Sequence, residues 1–156
     1  MKELVYHRLL LPAVKKHADR PFATNASTGF STTYAQHLDR VGRLIGGLQS
    51  LGVGRGDRFA IMTLNSPEYL EMYHAAFLGG GVVNPLNLRF APKELAYVLR
   101  DSGTKVCFVD GFFAGLIDRL GGTLLVLDAL ALGFFGTVGA DAALRIQLSP
   151  VPAIFV

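Results

Sequence analysis

The chain has 156 residues, 51% of them hydrophobic and 17% charged, against about 25% charged residues in an average soluble domain. This length supports one domain with a sizeable core, and the composition excludes a predominantly disordered chain. The net charge is +3, but basic and acidic residues are interspersed, so we expect no nucleic-acid binding.

The first thirty residues predict a non-secretory start followed by a β-hairpin. Charged residues interrupt the apolar ones in Met1–Leu11, and no small-residue cleavage site follows, which argues against a secretory signal. From Phe22 to Thr33, aromatic residues flank Ala26-Ser27-Thr28-Gly29, a cluster typical of a turn between two short strands.

A helix is predicted to begin at Tyr34. Thr33 and Gln36 have the spacing of a capping box, in which their side chains bind amides that the first helical turn leaves open. Gly52 is expected to end the helix, because glycine adopts the left-handed conformation at little cost. The residues predicted to form its apolar face are Tyr34, Leu38, Val41, Ile45 and Leu48.

The next segments alternate between strand and helix. Apolar runs at 58–64 and 105–110 predict buried strands, while 67–78 and 92–102 predict helices. Val82-Val83 predicts a short strand that Pro85 closes. Ser66, Pro67 and Glu68 favour the start of the first of these helices, and Pro92 that of the second. This order implies parallel pairing with right-handed crossovers, hence a layered α/β fold with a mostly parallel sheet and covering helices.

Two glycine-rich segments are candidates for phosphate-binding loops. Gly52–Asp57 and Gly79–Gly81 each follow a predicted helix and precede a predicted strand. A phosphate cradle requires the order strand, loop, helix, so that the helix amino terminus points at the anion. Both segments are therefore interpreted as turns.

Cysteine and histidine residues indicate no metal or redox site. Cys107 is the single cysteine and lies in an apolar stretch, which predicts a buried thiol in a reducing compartment. His7, His17, His37 and His74 are too far apart for the common metal-binding spacings, so packing or solvated roles are expected.

The composition changes after Leu120. Beyond it, the charged residues are Asp128, Asp141 and Arg145. Residues 120–140 approach the length and apolarity of a membrane span, for which about 20 residues suffice. Asp128 near the middle would cost on the order of 3 kcal/mol on insertion, and five glycines weaken a helix there. We interpret the segment as a tail with little evolved structure, and membrane contact through 120–140 as the alternative.

Five ordered segments resemble the first part of the adenylate-forming family, in particular its fatty-acid and medium-chain acyl-CoA synthetases. No segment is diagnostic alone, but the order and spacing over roughly 10–110 are family-like. Ala91 stands where the family often has a capping Ser or Thr, and Gly80 where a small or apolar residue is usual. The segments are TYAQ (33–36), LGVGRGDR (51–58), NSPEY (65–69), FLGGGVVNPLN (77–87) and ELAYVLRDSG (94–103).

The resemblance implies a ligase that uses ATP and magnesium to convert a fatty acid or another carboxylate to an acyl-adenylate, and then transfers the acyl group to coenzyme A. Such chemistry needs a Ser/Thr/Gly-rich phosphate loop with a lysine, acidic residues for magnesium and ribose, and a late lysine in a mobile domain. The sequence contains no such loop, and Lys105 is its last lysine. We therefore assign no catalytic, cofactor-binding or metal-binding residue, and expect no cofactor for this chain.

The resulting interpretation divides the chain into 1–120, an incomplete part of an adenylate-forming amino-terminal domain, and 121–156, an apolar glycine-rich tail without family resemblance. We hypothesise a truncated or frame-shifted gene, which an uninterrupted ancestral reading frame encoding this tail would contradict. The chain is expected to be cytoplasmic and inactive alone. The alternatives are a non-catalytic module that self-associates or associates with a full-length relative, and a small membrane-attached protein.

Overall fold

The structure, a computed structural model, describes residues 5–118 and 125–128. Within these residues the helices are α1 (Tyr6–His17), α2 (Tyr34–Ser50), α3 (Pro67–Phe77), α4 (Pro92–Asp101) and α5 (Gly111–Asp118). The strands are β1 (Pro21–Thr24), β2 (Ser31–Thr33), β3 (Arg58–Met62), β4 (Val82–Pro85), β5 (Thr104–Val109) and β6 (Leu125–Asp128).

A parallel sheet forms the centre of the fold. Its strand order is β4-β3-β5-β6, and every neighbouring pair is parallel. The two remaining strands, β1 and β2, form the predicted antiparallel hairpin. The layered α/β fold with a mostly parallel sheet is thus confirmed.

The sheet is covered on both faces, and its central strands carry consecutive buried apolar residues, at 59–62 in β3 and 106–109 in β5. Phe59 and Ile61 of β3 pack with α2 and α3, whereas Ala60 and Met62 pack on the opposite face with α4. All four side chains are buried. The alternation follows from the two-residue period of a strand, and it explains why this strand is continuously apolar.

Helix ends follow the predicted capping residues. Thr33 and Gln36 form the complete capping box of α2, with reciprocal bonds of 2.9 and 3.2 Å between each side chain and the other residue's backbone N–H. Gly52 follows the end of α2 with a φ of +76°. Ser66 caps α3, accepting a hydrogen bond from the backbone N–H of Tyr69.

At α4, a different side chain supplies the cap that Ala91 lacks. Glu94 reaches back and its Oε2 accepts a 2.7 Å hydrogen bond from the backbone N–H of Ala91. Half of a capping box is therefore retained although alanine has no acceptor of its own.

Helix α1 was not predicted from the sequence. It contains Pro12, a residue that usually interrupts a helix, and Leu10 is its one buried residue within the described range. Tyr6, Leu10, Val14 and His17 recur at helical spacing on the covered face, but the exposed Leu9 and Leu11 and the proline obscure this pattern in the sequence.

The segment after residue 120 contributes to the sheet. Leu125–Asp128 forms β6, which pairs in parallel with β5, so at least this part of the proposed tail is structured. The rest of 121–156 lies outside the described residues, as does most of the 120–140 segment considered for membrane contact. Among the residues that the structure describes, no helix is long and apolar enough to span a membrane.

A buried ion pair links α2 to α3. Arg40 donates to both carboxylate oxygens of Glu71, at 2.5 and 3.1 Å, and lies 3.8 Å from Glu68. The Glu71 side chain is 3% exposed. Burial raises the pKa of Glu71 while Arg40 opposes the rise, and the hydrogen bond to Glu71 raises the pKa of Arg40. The carboxylate is thus stabilised in this position by its partner.

Removing the negative charge of Glu71 should destabilise the fold. We expect Glu71→Gln to lower the free energy of unfolding by about 2 kcal/mol, because Arg40 would keep a largely buried charge without its carboxylate. The matched control is Asp39→Asn, which removes an exposed ion pair with Arg43 on α2 and should change stability by less than about 0.5 kcal/mol. Urea denaturation measures both, and equal effects would contradict a structural role for the buried pair.

Candidate functional site

The topology places a crevice between β3 and β5. The chain leaves β3 through α3 towards β4 on one side, and leaves β5 through α5 towards β6 on the other. Adjacent strands with connections in opposite directions define a topological switch point, and ligands of open α/β sheets bind outside the carboxyl ends of the strands there. The residues that follow β3 and β5 therefore form the candidate site.

Asp110 joins the two sides of this crevice. Its Oδ2 accepts a 2.8 Å hydrogen bond from the backbone N–H of Leu64, and its own N–H donates to the carbonyl of Met62 at 3.2 Å. The contacts fix the ends of β3 and β5 relative to each other before α5 begins. The Leu64 side chain, in contrast, is 59% exposed at the same edge.

Thr63 brings an unpartnered hydroxyl to the end of β3. The residue is 6% exposed, and its Oγ1 is buried without a hydrogen-bond partner among the residues that the structure describes. Buried hydroxyls without partners are uncommon because their desolvation is not compensated. A buried hydroxyl without a partner among the described residues thus lies directly after β3.

A cleft lies beside this edge, between the hairpin and the start of α3. Its volume is about 330 Å³, near the lower end of the range of ligand pockets. Asn25 shapes its hairpin side, because its Oδ1 accepts hydrogen bonds from the backbone N–H groups of Ser27 and Thr28. The lining residues are Ala23, Thr24, Asn25, Ala26, Ser27, Asn65, Ser66, Pro67 and Leu70.

Two of the four histidines come together although the sequence suggested only separate packing roles. His37 Nε2 lies 2.6 Å from His74 Nδ1, and His74 Nε2 lies 2.7 Å from the Tyr6 hydroxyl. The pairing was not recognisable in sequence, because the two residues are 37 positions apart on different helices. It does not amount to a metal site: among the described residues no group of three or more metal-ligating side chains occurs.

The glycine-rich segments lie at the opposite edge of the sheet, as their order in the sequence predicted. A Cβ at Gly81 would lie 3.1 Å from Val53 and 3.2 Å from the carbonyl of Asp57, so the turn packs against the chain rather than around an anion. Lys105, at the start of β5, bonds Asp57 at 2.9 Å. Within the described residues, neither segment forms a triphosphate cradle at the carboxyl edge.

The buried cysteine is confirmed as a core residue. Cys107 is fully buried on the α4 face, and burial raises the pKa of its thiol to about 12. At neutral pH it therefore remains protonated and unreactive.

Comparison with known proteins assigns this architecture to a family. The sequence model of the AMP-binding enzymes matches residues 11–142. The chain therefore belongs to the AMP-binding enzyme family. The match extends beyond residue 120 and includes β6, further than the motifs themselves indicate.

Among its relatives are ligases that act on different acids. A long-chain-fatty-acid–CoA ligase of Thermus thermophilus is 42% identical over 93 residues, 60% of this chain and 17% of that protein. A 3-hydroxybenzoate–CoA ligase of Aromatoleum sp. is 34% identical over 113 residues, 72% of this chain and 21% of that protein. The chain thus matches about a fifth of the length of these relatives, in their amino-terminal part.

Solved structures agree with the fold. A fatty acyl CoA synthetase of Mycobacterium tuberculosis has a TM-score of 0.74 at 28% identity, covering 90% of this chain and 29% of that one. The N-terminal domain of FACL13 from the same organism also gives 0.74 at 28% identity, covering 92% and 38%. The chain accordingly has the architecture of the first part of an acyl-CoA synthetase amino-terminal domain.

The unpartnered hydroxyl can be tested by a matched pair of threonine substitutions. We expect Thr63→Val to leave stability unchanged or raise it by up to about 1 kcal/mol, because it replaces an uncompensated buried hydroxyl by an apolar group of the same shape. Thr104→Val should lower stability by about 1 kcal/mol, because Thr104 Oγ1 pairs with Ser102 at 2.7 Å and accepts from Asn84 at 3.2 Å.

Thermal or urea unfolding of both variants provides the measurement. A loss of more than about 1 kcal/mol in Thr63→Val would mean that the hydroxyl has a stabilising partner. The Thr63 hydroxyl would then be an ordinary hydrogen-bonded core group.

Proposed function

We propose that this chain supplies the first part of the amino-terminal domain of an acyl-CoA ligase acting on a fatty acid or another carboxylate, and that the 156-residue chain does not make an acyl-adenylate alone. The observation that carries the proposal is the switch-point crevice between β3 and β5. It occurs in a chain whose residues 11–142 match the sequence model of the AMP-binding enzymes. The crevice supports a family-type site in which these strand ends would form one wall, at the carboxyl edge of the sheet.

The chemistry explains why one wall does not suffice. A carboxylate oxygen is a poor leaving group, so the acid must first be joined to AMP, with pyrophosphate released from ATP. Negative charge that develops in this step has to be stabilised by preorganised donors or cations. The described ends of β3 and β5 instead carry the Asp110 carboxylate, which already accepts from the Leu64 N–H, and the buried Thr63 hydroxyl. Such oxygens can bind magnesium but supply no positive charge for a triphosphate, so these two residues alone do not hold ATP.

The role that the described residues can fill is positional. Asp110 holds the end of β3 through the Leu64 N–H, and the apolar side chains on both faces of β3 fix that strand in the sheet. A rigid wall of this kind orients groups that other parts of a full-length ligase contribute. The acid itself is not specified, since the relatives include ligases named for long-chain fatty acids and for 3-hydroxybenzoate.

An activity assay tests the proposal directly. The purified chain, incubated with ATP, magnesium, coenzyme A and a panel of fatty and aromatic acids, should release no pyrophosphate above the buffer blank. Isothermal calorimetry should detect no ATP binding. The full-length Thermus thermophilus ligase assayed in parallel serves as the positive control, and hydrogen exchange establishes that the chain is folded.

Pyrophosphate release that requires an added carboxylic acid and co-purifies with the chain would contradict the proposal that the chain is inactive alone. Measurable ATP affinity without turnover would show that a nucleotide site survives in these residues. After either result, the groups that stabilise the negative charge would have to be sought among residues outside the five family-like segments.

The second candidate is an association module, and the sheet edge favours it. Within the described residues β4 pairs with β3 on one side alone, and Val82 is 46% exposed. An exposed strand edge is a template for pairing with another chain. The partner proposed here is a second copy of the chain or a full-length relative.

Light scattering tests this candidate. We expect concentration-dependent association of the chain, which Val82→Lys should weaken because a charged residue on an edge strand discourages pairing. Leu9→Lys is the matched control, since Leu9 is 55% exposed but lies on α1 rather than on the sheet edge. If the chain stays monomeric at all concentrations, alone and mixed with a full-length relative, the second candidate function is excluded.

A further inference from the structure

Four aromatic side chains from four elements meet at the buried ring of His37. Tyr6 comes from α1, Phe22 from β1, His37 from α2 and His74 from α3. Phe22 stacks on His37 with a centroid separation of 4.0 Å, and Tyr6 packs against His74 at 5.0 Å. His37 is 1% exposed, whereas His74 is half-buried. We call this set the histidine cluster.

The hydrogen bonds of the cluster form a directional chain. One proton lies between His37 Nε2 and His74 Nδ1, which are 2.6 Å apart, and one between His74 Nε2 and the Tyr6 oxygen, 2.7 Å apart. If Tyr6 donates to His74, then His74 donates to His37; in the other tautomers both bonds reverse. The neutral rings satisfy both bonds in either direction.

Adding protons changes this arrangement in two stages. One proton on His74 makes both of its ring nitrogens donors, to His37 and to the Tyr6 oxygen, so both hydrogen bonds survive around a buried charge. A second proton on His37 puts two N–H groups face to face, and the bond between the rings is lost. Two like charges then lie in a poorly hydrated site.

We propose that the histidine cluster is an acid-sensitive latch that holds α1 and the hairpin against α2 and α3 when its rings are neutral, and that releases α1 when both rings are protonated. The proposal does not depend on the proposed function. It concerns how the amino-terminal helix is attached to the sheet that carries the crevice.

The charged surroundings favour the neutral latch. Arg40 on α2 adds positive charge near His37, and it is itself paired with Glu71 and Glu68 of α3. Tyr6 is the titratable neighbour on α1, and β1 contributes the uncharged Phe22. Burial, then His74 and Arg40, lower the pKa of His37 to about 4, and burial lowers that of His74.

The sign of the pH effect follows. Both histidines bind protons less readily in the folded chain than in an open one, where their pKa is near 6.5. The stabilisation is therefore complete above about pH 6.5 and is lost as the pH falls towards 4.

Helix α1 is the element that should detach, because few contacts hold it among the described residues; besides those of Tyr6 and Leu10 they include half-buried Val14 and the packing of His17 on Tyr34, with ring centroids 6.2 Å apart. Leu10 is its one buried side chain among the described residues, while Leu9 and Leu11 are exposed. Besides its bond to His74, Tyr6 packs against Phe77 with ring centroids 5.0 Å apart. Protonated His74 still donates to the Tyr6 oxygen, so loss of this bond is not what releases α1. Detachment of α1 is favoured because it admits water to the two charged rings, whose burial is the main cost of protonating them.

Hydrogen exchange on the full chain at pH 7 and pH 5, corrected for intrinsic rates, tests the latch. Protection of α1 amides should fall roughly tenfold between the two pH values, whereas β3 amides should change much less, because opening is local. His37→Gln should reduce the fall to less than about threefold, since the amide replaces the Nε2 partner without titrating. His7→Gln removes an exposed histidine from α1 itself and should leave the tenfold fall intact.

The latch is overturned if α1 protection in the unmodified chain is independent of pH, or if His37→Gln retains the whole effect. Should His37→Gln fail to fold, nitrogen NMR of ¹⁵N-histidine in the unmodified chain decides the matter. His37 should then titrate well below pH 6 together with the loss of α1 protection. Titration of His37 near its ordinary value would contradict the proposal.

Discussion

The pairing of β3 with β5 is the constraint on which the rest of the structure depends. Its register runs from Phe59 opposite Val106 to Met62 opposite Val109, with every one of these side chains buried. Because both strands are covered on two faces, neither can slip by one residue without exchanging the side chains of the two cores. The pair therefore fixes both helical layers and the position of the carboxyl edge.

The site follows from that pair rather than from any catalytic side chain. Since connections leave β3 and β5 in opposite directions, a crevice opens between their ends, and Asp110 bridges it through the Leu64 N–H. Such a crevice is common to open α/β sheets and does not define a reaction. The chemical assignment comes from the family match over 11–142, and the described residues contribute its geometry.

Sequence reasoning recovered the elements whose information is local. The capping pair Thr33 and Gln36 and the continuous apolar run of β3 identify a helix start and a buried strand within a few residues of sequence. It missed α1, where Pro12 and scattered exposed leucines obscure the period. The buried hydroxyl of Thr63 and the hydrogen bond between Asp110 and the Leu64 N–H arise from how distant segments pack together. No local sequence pattern predicts them.

The two faces of the sheet differ in what holds them. The α4 face is purely apolar among its buried residues, whereas the interface of α2 with α3 contains a buried ion pair, Arg40–Glu71, and the bonded rings His37 and His74. Apolar packing tolerates rearrangement, but a buried polar pair tolerates few alternative positions of its helices. We infer that the Arg40–Glu71 pair sets the register of α3 against α2, so that this register and the central sheet stay in place when acid breaks the His37–His74 bond and releases α1.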